Sequence, residues 1–210
     1  MHAYMTPAEK PRLTPITTER LLLVEGTDDE RFFIPLLRWI GINDIQVQRY
    51  FGDEWLNVIK VIPKQSGFNG VTSIGVVRDA DEDAGAAFES VCAGLRQAGL
   101  PTPQAPLHPT NGSPKVAVAI IPPHAKRGAL EEMCLQSVAG YLSLQCVEEY
   151  IVCLRARSVS LPSALGKVRL HAFLSAKPNP DAKLGEAASF GYWPFESPAF
   201  AQIVQFLKDL

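Results

Sequence analysis

Three apolar, strand-like segments of this sequence lead into acidic residues, and carboxylates arranged in this way could bind a metal ion. The first segment ends at Glu25, the second ends at Asp79 and continues to Asp81, and the third precedes Glu131. Ligands of parallel β-sheets bind outside the carboxyl ends of the strands. We therefore predict that these side chains meet at one edge of a sheet and form a metal site.

The acidic residues of the chain are concentrated around these three points. Residues 25–30, 79–83 and 131–132 hold ten of the 22 Asp and Glu residues. On an ordinary solvated surface the two signs of charge would be mixed along the chain, whereas most of this excess follows the predicted strand ends. The distribution therefore favours a functional site.

Each acidic segment taken alone also has a simpler interpretation. Residues 25–26 could be a plain turn from strand to helix, residues 79–83 the acidic start of a helix, and residues 130–132 an ordinary helix beginning. A calcium loop of the EF-hand type is excluded, because Ala84 and Ser90 stand where that loop needs glycine and glutamate. The three segments in order, at helix-length spacing, are more specific than any one of them.

The elements that must position these acids alternate between strand and helix. Apolar runs and alternating patterns predict four strands, at 20–25, 45–50, 72–78 and 115–121. Helical spacing predicts helices after them, at 28–39, 54–65, 83–98 and 129–139. This alternation predicts an α/β fold with a mainly parallel four-stranded sheet flanked by helices.

The first predicted helix has the clearest boundary signals. Thr27 can act as its N-cap, with Glu30 as the partner in a capping box. Gly41 is expected to end the helix. Pro35 lies inside it and is expected to kink or split it.

The chain becomes helical and poor in strands from residue 141 onward, where helices are expected at 143–157, 162–176 and 197–208. The residues 192–195, Tyr-Trp-Pro-Phe, are expected to hold the end of the chain against the core. We expect three parts, which are a flexible leader over 1–18, an α/β domain over 19–140 and a helical C-terminal extension over 141–210 packed on that domain.

The composition is that of a globular protein with a sizeable core, since 47% of the 210 residues are hydrophobic. No run approaches the ~18 apolar residues that a membrane helix needs, and residues 1–20 hold prolines and charges but no apolar segment of a secretory signal. We therefore expect a cytoplasmic protein. The cysteines form no CxxC pair and are expected to be buried free thiols of a reducing compartment, at Cys92, Cys134, Cys146 and Cys153.

The acidic segments together resemble the Toprim domain, which topoisomerases, bacterial primases and OLD-family nucleases share. The resemblance covers residues 20–135. Residues 24–29 are similar to its first motif, Glu-Gly after an apolar strand with an acid close behind, and residues 79–81 are similar to its Asp-x-Asp motif. Residues 128–131, Gly-Ala-Leu-Glu, are similar to an additional acidic motif of the OLD-like branch. The chain looks more like a small standalone Toprim-like family than like the larger enzymes.

The resemblance implies a magnesium site, in which manganese can substitute. Its ligands would be Glu25, Asp79 and Asp81, with Asp29 and Glu131 as additional ligands. Magnesium prefers hard oxygen ligands of this kind. Glu25, on the neighbouring strand, is the candidate general acid or base.

The function that follows is magnesium-dependent cleavage of phosphodiester bonds in DNA or RNA, as in a nuclease. One alternative is a non-catalytic module that uses the metal to bind nucleic acid or a nucleotide, and that regulates a protein partner. Another is a phosphotransferase acting on small molecules. The net charge of -2 and the lack of a basic stripe count against tight nonspecific binding of nucleic acid. No membrane partner is expected, and a homo-oligomer stays open.

Three basic residues flank the acidic motifs and could hold substrate phosphates, namely Arg78, Lys126 and Arg127. Solvated surface charges are the simpler interpretation of all three. His124 follows the fourth predicted strand and is expected near the site, where an ordinary surface histidine is again the simpler interpretation.

Overall fold

The computed structural model describes residues 13–50 and 54–210 and is built around a four-stranded sheet. All strand pairs are parallel, and the strand order is β2-β1-β3-β4. The strands are β1 (Arg20–Glu25), β2 (Ile45–Tyr50), β3 (Ser73–Asp79) and β4 (Lys115–Ile121). The predicted α/β fold with a parallel four-stranded sheet is confirmed. Because β1 and β3 are neighbours, Glu25 and Asp79 end adjacent strands.

Eight helices surround the sheet in the part of the chain that the structure describes. They are α1 (Gly26–Trp39), α2 (Trp55–Val61), α3 (Ala84–Gln97), α4 (Leu130–Ser137), α5 (Leu142–Ala156), α6 (Leu165–Ser175), α7 (Leu184–Ser189) and α8 (Ala201–Lys208). Seven of them lie where the sequence predicts a helix, whereas α7 is not predicted. Short 3-10 turns extend α2 and precede α8.

The sheet is buried on both faces, which explains why its strands are almost continuously apolar. Successive side chains of a strand point to opposite faces. Leu21 and Leu23 of β1 therefore pack in one core with α2 and α3. Leu22 and Val24 pack in the other core, with α1 and the helices that follow β4.

Helix α1 begins earlier than predicted. The chain turns directly from β1 at Gly26, whose φ of 93° is a conformation that glycine adopts at little cost. Glu25 is therefore the N-cap residue, without a side-chain cap, and the predicted capping role of Thr27 is wrong. The helix also continues through Pro35 without a break, so the prediction of a split is wrong. Gly41, with φ of 78°, follows the last turn as expected.

The C-terminal helices share a core with the sheet. Side chains of α6 and α8 belong to the same buried cluster as β1 and α1. Trp193 is buried and its indole N–H donates a hydrogen bond to the Leu184 carbonyl oxygen at 3.0 Å. Phe195 is buried beside Phe32. The expectation that residues 192–195 hold the chain end against the core is confirmed.

The cysteines differ in exposure, so the prediction about them is right for only two. Cys92 and Cys134 are buried, whereas Cys146 and Cys153 lie on the exposed side of α5. The error arose because α5 has a broad apolar pattern, and only part of it faces the core. All four thiols are free. Within the described residues, no helix has the length and apolar character to cross a membrane.

The leader predicted over 1–18 is described only in part, since residues 1–12 lie outside the described residues. Residues 13–18 contact the rest of the protein. Ile16 is buried, and its N–H donates to the Ser66 carbonyl oxygen at 3.2 Å. The Gln48 side-chain amide donates to the Thr14 carbonyl oxygen at 2.9 Å.

Candidate functional site

The predicted acidic residues line one cavity of about 540 Å³ at the carboxyl edge of the sheet. The carboxylates belong to the ends of β1 and β3, the loop after β3, and the first turns of α1 and α4. They are Glu25, Asp28, Asp29, Asp79, Asp81 and Glu131. The parallel order of β1 and β3 brings the first two acidic segments together, as the sequence pattern predicts.

Glu25 ends β1 with one carboxylate oxygen buried and without a hydrogen-bond partner. That atom, Oε2, lies 3.9 Å from Nε of Arg78, which is an ion-pair distance but too long for a hydrogen bond. Burial raises the pKa of Glu25, Arg78 opposes this rise, and the negative charge of Asp81 adds to it. Glu25 is therefore a carboxylate with an unused acceptor at the cavity wall.

Asp79 lies deeper and has a defined structural contact. Its Oδ1 accepts a hydrogen bond from the Leu130 N–H at 3.0 Å, at the beginning of α4. Burial, followed by the charges of Asp29 and Glu131, raises the pKa of Asp79 to about 9. This rise favours the protonated form of the Asp79 side chain.

Asp29 is also buried, with only 8% of its surface exposed. It lies on the first turn of α1, which follows Glu25 in the chain. Burial, and next the charge of Glu25, raise the pKa of Asp29 well above its ordinary value. The deep part of the cavity therefore holds several carboxyl groups that oppose one another's ionisation.

Asp81 belongs to a strained loop that is tied to the loop before α4. Its φ of 48° lies in the left-handed region, which residues other than glycine seldom adopt. Two backbone hydrogen bonds of 2.8 Å join Asp81 and Gly128, with each N–H donating to the other carbonyl oxygen. This bridge holds the loop after β3 beside the segment that leads to Glu131.

Glu131 stands on the first turn of α4, partly shielded from solvent. Burial raises its pKa, while a backbone hydrogen bond and the charge of Lys167 oppose that rise. Its Oε1 lies 3.9 Å from the Lys167 Nζ. The contact connects the acids of the sheet edge with helix α6.

The cavity also has basic lining residues, and no motif in the sequence predicted them. Lys167 and His171 of α6 line the cavity, and so does Lys183, the residue before α7. They lie far from the acidic motifs along the chain, and no local pattern marks them. Lys167 and His171 are four residues apart, and this spacing alone could have indicated that they lie on the same face of a helix.

The three basic residues that the sequence suggested lie elsewhere. Arg78 pairs with Glu25 and donates to Ser90 Oγ at 3.3 Å, so its side chain is turned toward α3. Lys126 and Arg127 are exposed on the loop before α4 and do not line the cavity. His124 is exposed on the same loop, against Gln202 of α8.

The sequence of residues 19–210 matches the family described as "Protein of unknown function (DUF3226)". The chain belongs to the DUF3226 family. No curated protein matches it. Among solved structures, this DUF3226 chain is similar to the C-terminal region of the Burkholderia pseudomallei OLD protein, with a TM-score of 0.51 and 16% sequence identity. The similarity covers 92% of this chain and 98% of that one, and at this identity it shows a shared fold.

The donor set of the DUF3226 cavity fits a hard divalent cation by type. All of its acids offer carboxylate oxygens, and Glu25 Oε2 and Asp28 Oδ1 are buried without hydrogen-bond partners. A cation would offset both the burial and the neighbouring negative charges that raise the pKa of Asp79. The side chains do not form a closed cage, however, since among described residues no three Asp, Glu, His or Cys groups are already arranged around one point.

Proposed function

We propose that this protein is a magnesium-dependent enzyme that cleaves phosphodiester bonds in nucleic acid, through a Toprim-like site. One observation supports the proposal most strongly. A single cavity is lined by six carboxylates at a sheet edge and also by two lysines and a histidine. Such a combination suits a phosphate group that a cation and basic side chains bind together.

The residues that would hold Mg²⁺ are those of the adjacent strand ends. Glu25, Asp79 and Asp81 are the proposed principal ligands, with Asp29 and Glu131 as additional ones. When bound, the ion would neutralise charge on the phosphate and make a bound water a better nucleophile. Asp79 would then exchange its proton for the cation while its Oδ1 keeps the Leu130 hydrogen bond.

The remaining roles fall to side chains of this chain. Glu25 has an unpartnered oxygen and a raised pKa, which suit a group that accepts a proton from water near neutral pH. Lys167 and Lys183 line the same cavity and are the proposed phosphate-binding groups. His171 of the same cavity is the proposed proton donor to the leaving oxygen.

The comparisons support this proposal by analogy. The neighbour is the C-terminal region of an OLD protein, and the fold similarity extends over nearly the whole of both chains. The motifs at Glu25 and at Asp79–Asp81 resemble those of the Toprim domain, and they lie together in the structure. Because one fold serves many activities, the chemistry of the cavity carries more weight than the fold.

The test is cleavage of single- and double-stranded DNA and RNA, and of nucleotides, with Mg²⁺, with Mn²⁺ and with chelator. We expect divalent-ion-dependent cleavage of at least one nucleic acid. Asp79→Asn and Asp81→Asn should abolish it, whereas Glu82→Gln, at an exposed acid outside the cavity, should retain it. Cleavage that persists in both Asn variants would contradict the proposed site.

A non-catalytic module that binds nucleic acid or a nucleotide through the metal is the second candidate. Two observations favour it, namely the absence of a preformed cage among the described acids and the structural hydrogen bond of Asp79. Metal-dependent binding without turnover of any member of the panel would place this alternative first.

A further inference from the structure

We propose that the seam between α1 and α7 binds a single strand of nucleic acid that leads away from the acidic cavity. This inference rests on the proposed function, because it assigns a path to the substrate of that site. It concerns a surface that contains none of the proposed metal ligands. The surface, called the seam below, is the depression lined by Arg31, Arg38, Trp39, Phe190 and Tyr141.

Helices α1 and α7 lie side by side and run in the same direction. Near their beginnings they are in close contact, since a Cβ atom added to Gly185 would lie 2.5 Å from the Asp28 carbonyl oxygen. Near their ends, Pro35 and Arg38 of α1 line a cavity together with Phe190. Both helices thus start at the acidic cavity and lead away from it.

Two cavities follow one another along this seam. The nearer one, of about 260 Å³, is lined in part by Arg31 and Phe190. The farther one, of about 550 Å³, is lined in part by Trp39 and Tyr141. Pro35, Arg38 and Ser189 line both cavities, so the two form one continuous depression.

Large aromatic rings are exposed along the seam instead of being buried. Trp39 is 52% exposed, Phe190 is 51% exposed and Tyr141 is 43% exposed. Flat rings exposed beside basic groups are what unpaired bases stack on in proteins that bind single strands. A duplex would offer them no base faces, because its bases are already stacked on one another.

Of the two arginines of the seam, only Arg38 is available to a phosphate backbone. Arg31 is neutralised by Glu186 at 2.9 Å, and the other oxygen of Glu186 accepts the Lys183 N–H. Arg38, which lines both cavities, makes no ion pair or side-chain hydrogen bond within the described residues. The negative charge of Glu196, which lines the farther cavity, acts against the binding of a phosphate there.

The dimensions of the seam set a length requirement for the ligand. Helix α1 has 14 residues. At 1.5 Å per residue it spans about 20 Å from the acidic cavity to Trp39. A dinucleotide can therefore fill the acidic cavity only, while an oligonucleotide of several residues can reach the exposed rings.

The experiment measures binding of a fluorescently labelled single-stranded oligothymidylate by anisotropy, in Mg²⁺ and in the cold, with its length checked afterwards on a gel. Trp39→Ala, Phe190→Ala and Arg38→Ala are compared with two matched controls on the exposed face of α5, Tyr150→Ala and Arg155→Ala. Loss of one stacking ring should weaken binding about fivefold or more. Glu196→Gln should strengthen it.

Two further ligands test whether the seam binds long single strands in particular. Binding of a labelled dinucleotide and of a blunt duplex should be unchanged in the Trp39→Ala and Phe190→Ala variants. If these variants and the controls bind the long oligonucleotide equally well, the proposal that the seam binds a single strand is wrong. A change of sedimentation in the two variants without any oligonucleotide would also overturn it, because the rings would then be a protein interface.

Failure of this proposal can be told apart from failure of the proposed function. If wild type cleaves nucleic acid and the seam variants bind like wild type, the function stands and the seam is wrong. If wild type cleaves nothing but binds the oligonucleotide through the seam, the seam stands and catalysis is wrong. If wild type neither cleaves nor binds, both are wrong.

Discussion

Burial and nearby carboxylates raise the pKa of Asp79 from 3.8 to about 9, which favours its protonated form. Between these values the folded protein holds a proton that the unfolded chain has released. The free energy of unfolding of the metal-free protein is therefore expected to fall as pH rises through this window. Glu25, Asp29 and Glu131, whose pKa values are also raised, act in the same direction.

The variant Asp79→Asn should weaken this pH dependence, since an amide does not ionise. Its Oδ1 can still accept the hydrogen bond from Leu130, so the contact with α4 is retained. The measurement is urea denaturation in chelator at several pH values across the window. An identical slope of stability against pH in the variant and in wild type would contradict the buried, proton-holding state of Asp79.

A divalent cation should stabilise the protein through the same carboxylates. At a hundredfold excess of Mg²⁺ over its Kd, the free energy of unfolding should rise by about 2.7 kcal/mol if the unfolded chain does not bind. Asp79→Asn and Asp81→Asn should remove most of this gain while leaving the metal-free protein at least as stable as wild type. Glu82→Gln is the matched control.

Chemical denaturation in chelator and in excess Mg²⁺ separates this prediction from a structural role. Carboxylates that only cap helices or pair with arginine would be needed under both conditions. A loss of stability of equal size with and without Mg²⁺ would therefore show that Asp79 and Asp81 are structural. If calorimetry detects no binding of Mg²⁺ or Mn²⁺ at millimolar concentration, the proposed metal site is wrong.

At the scale of elements, the contact of α7 with α1 depends on a residue without a side chain. A Cβ at position 185 would lie 2.5 Å from both the Asp28 carbonyl oxygen and the Arg31 Cβ. Gly185→Ala should therefore separate the two helices and cost about 1–3 kcal/mol of stability. Gly140→Ala, where no atom lies within 4 Å, should be neutral or stabilising. Thermal unfolding of both variants tests this, and equal stabilities would refute it.

The strands could be predicted from the sequence closely, and the last helices less so. β1, β2 and β4 have the predicted bounds, because strands buried on both faces are apolar runs that loops interrupt sharply. Helix α7 was missed because six residues, Leu184–Ser189, are too few to show a helical period. The start of α1 was predicted too late, because the chain turns at Gly26 without the help of a capping side chain.

At the scale of the whole molecule, the sheet and the C-terminal helices have one core in common. Leu22 and Val24 of β1 belong to the same buried cluster as Leu170, Phe200 and Leu207. A chain of residues 1–140 would expose this apolar surface, so we expect it to lack a cooperative thermal transition by circular dichroism. A cooperative transition with native-like helix content would show instead that the two parts fold independently.

The acidic half of the candidate site could be predicted, while the basic half could not. Parallel strands end at one edge of a sheet, so acids that follow strands must meet there, as Glu25 and Asp79 do. Lys167, His171 and Lys183 meet these acids only because α6 and α7 fold back over that edge. Their approach depends on tertiary packing, which no periodicity in the sequence specifies.

The backbone conformation of Asp81 has a consequence for directed evolution. Its φ of 48° would suit glycine better, and its carboxylate adds to the negative charge around Glu25 and Asp79. Asp81→Gly should therefore relieve backbone strain and charge repulsion together. A library screened only for survival of heating, in chelator, would be expected to enrich this substitution. The most heat-resistant clones of such a screen would then be those that had lost a ligand of the proposed cation, together with any activity that depends on it.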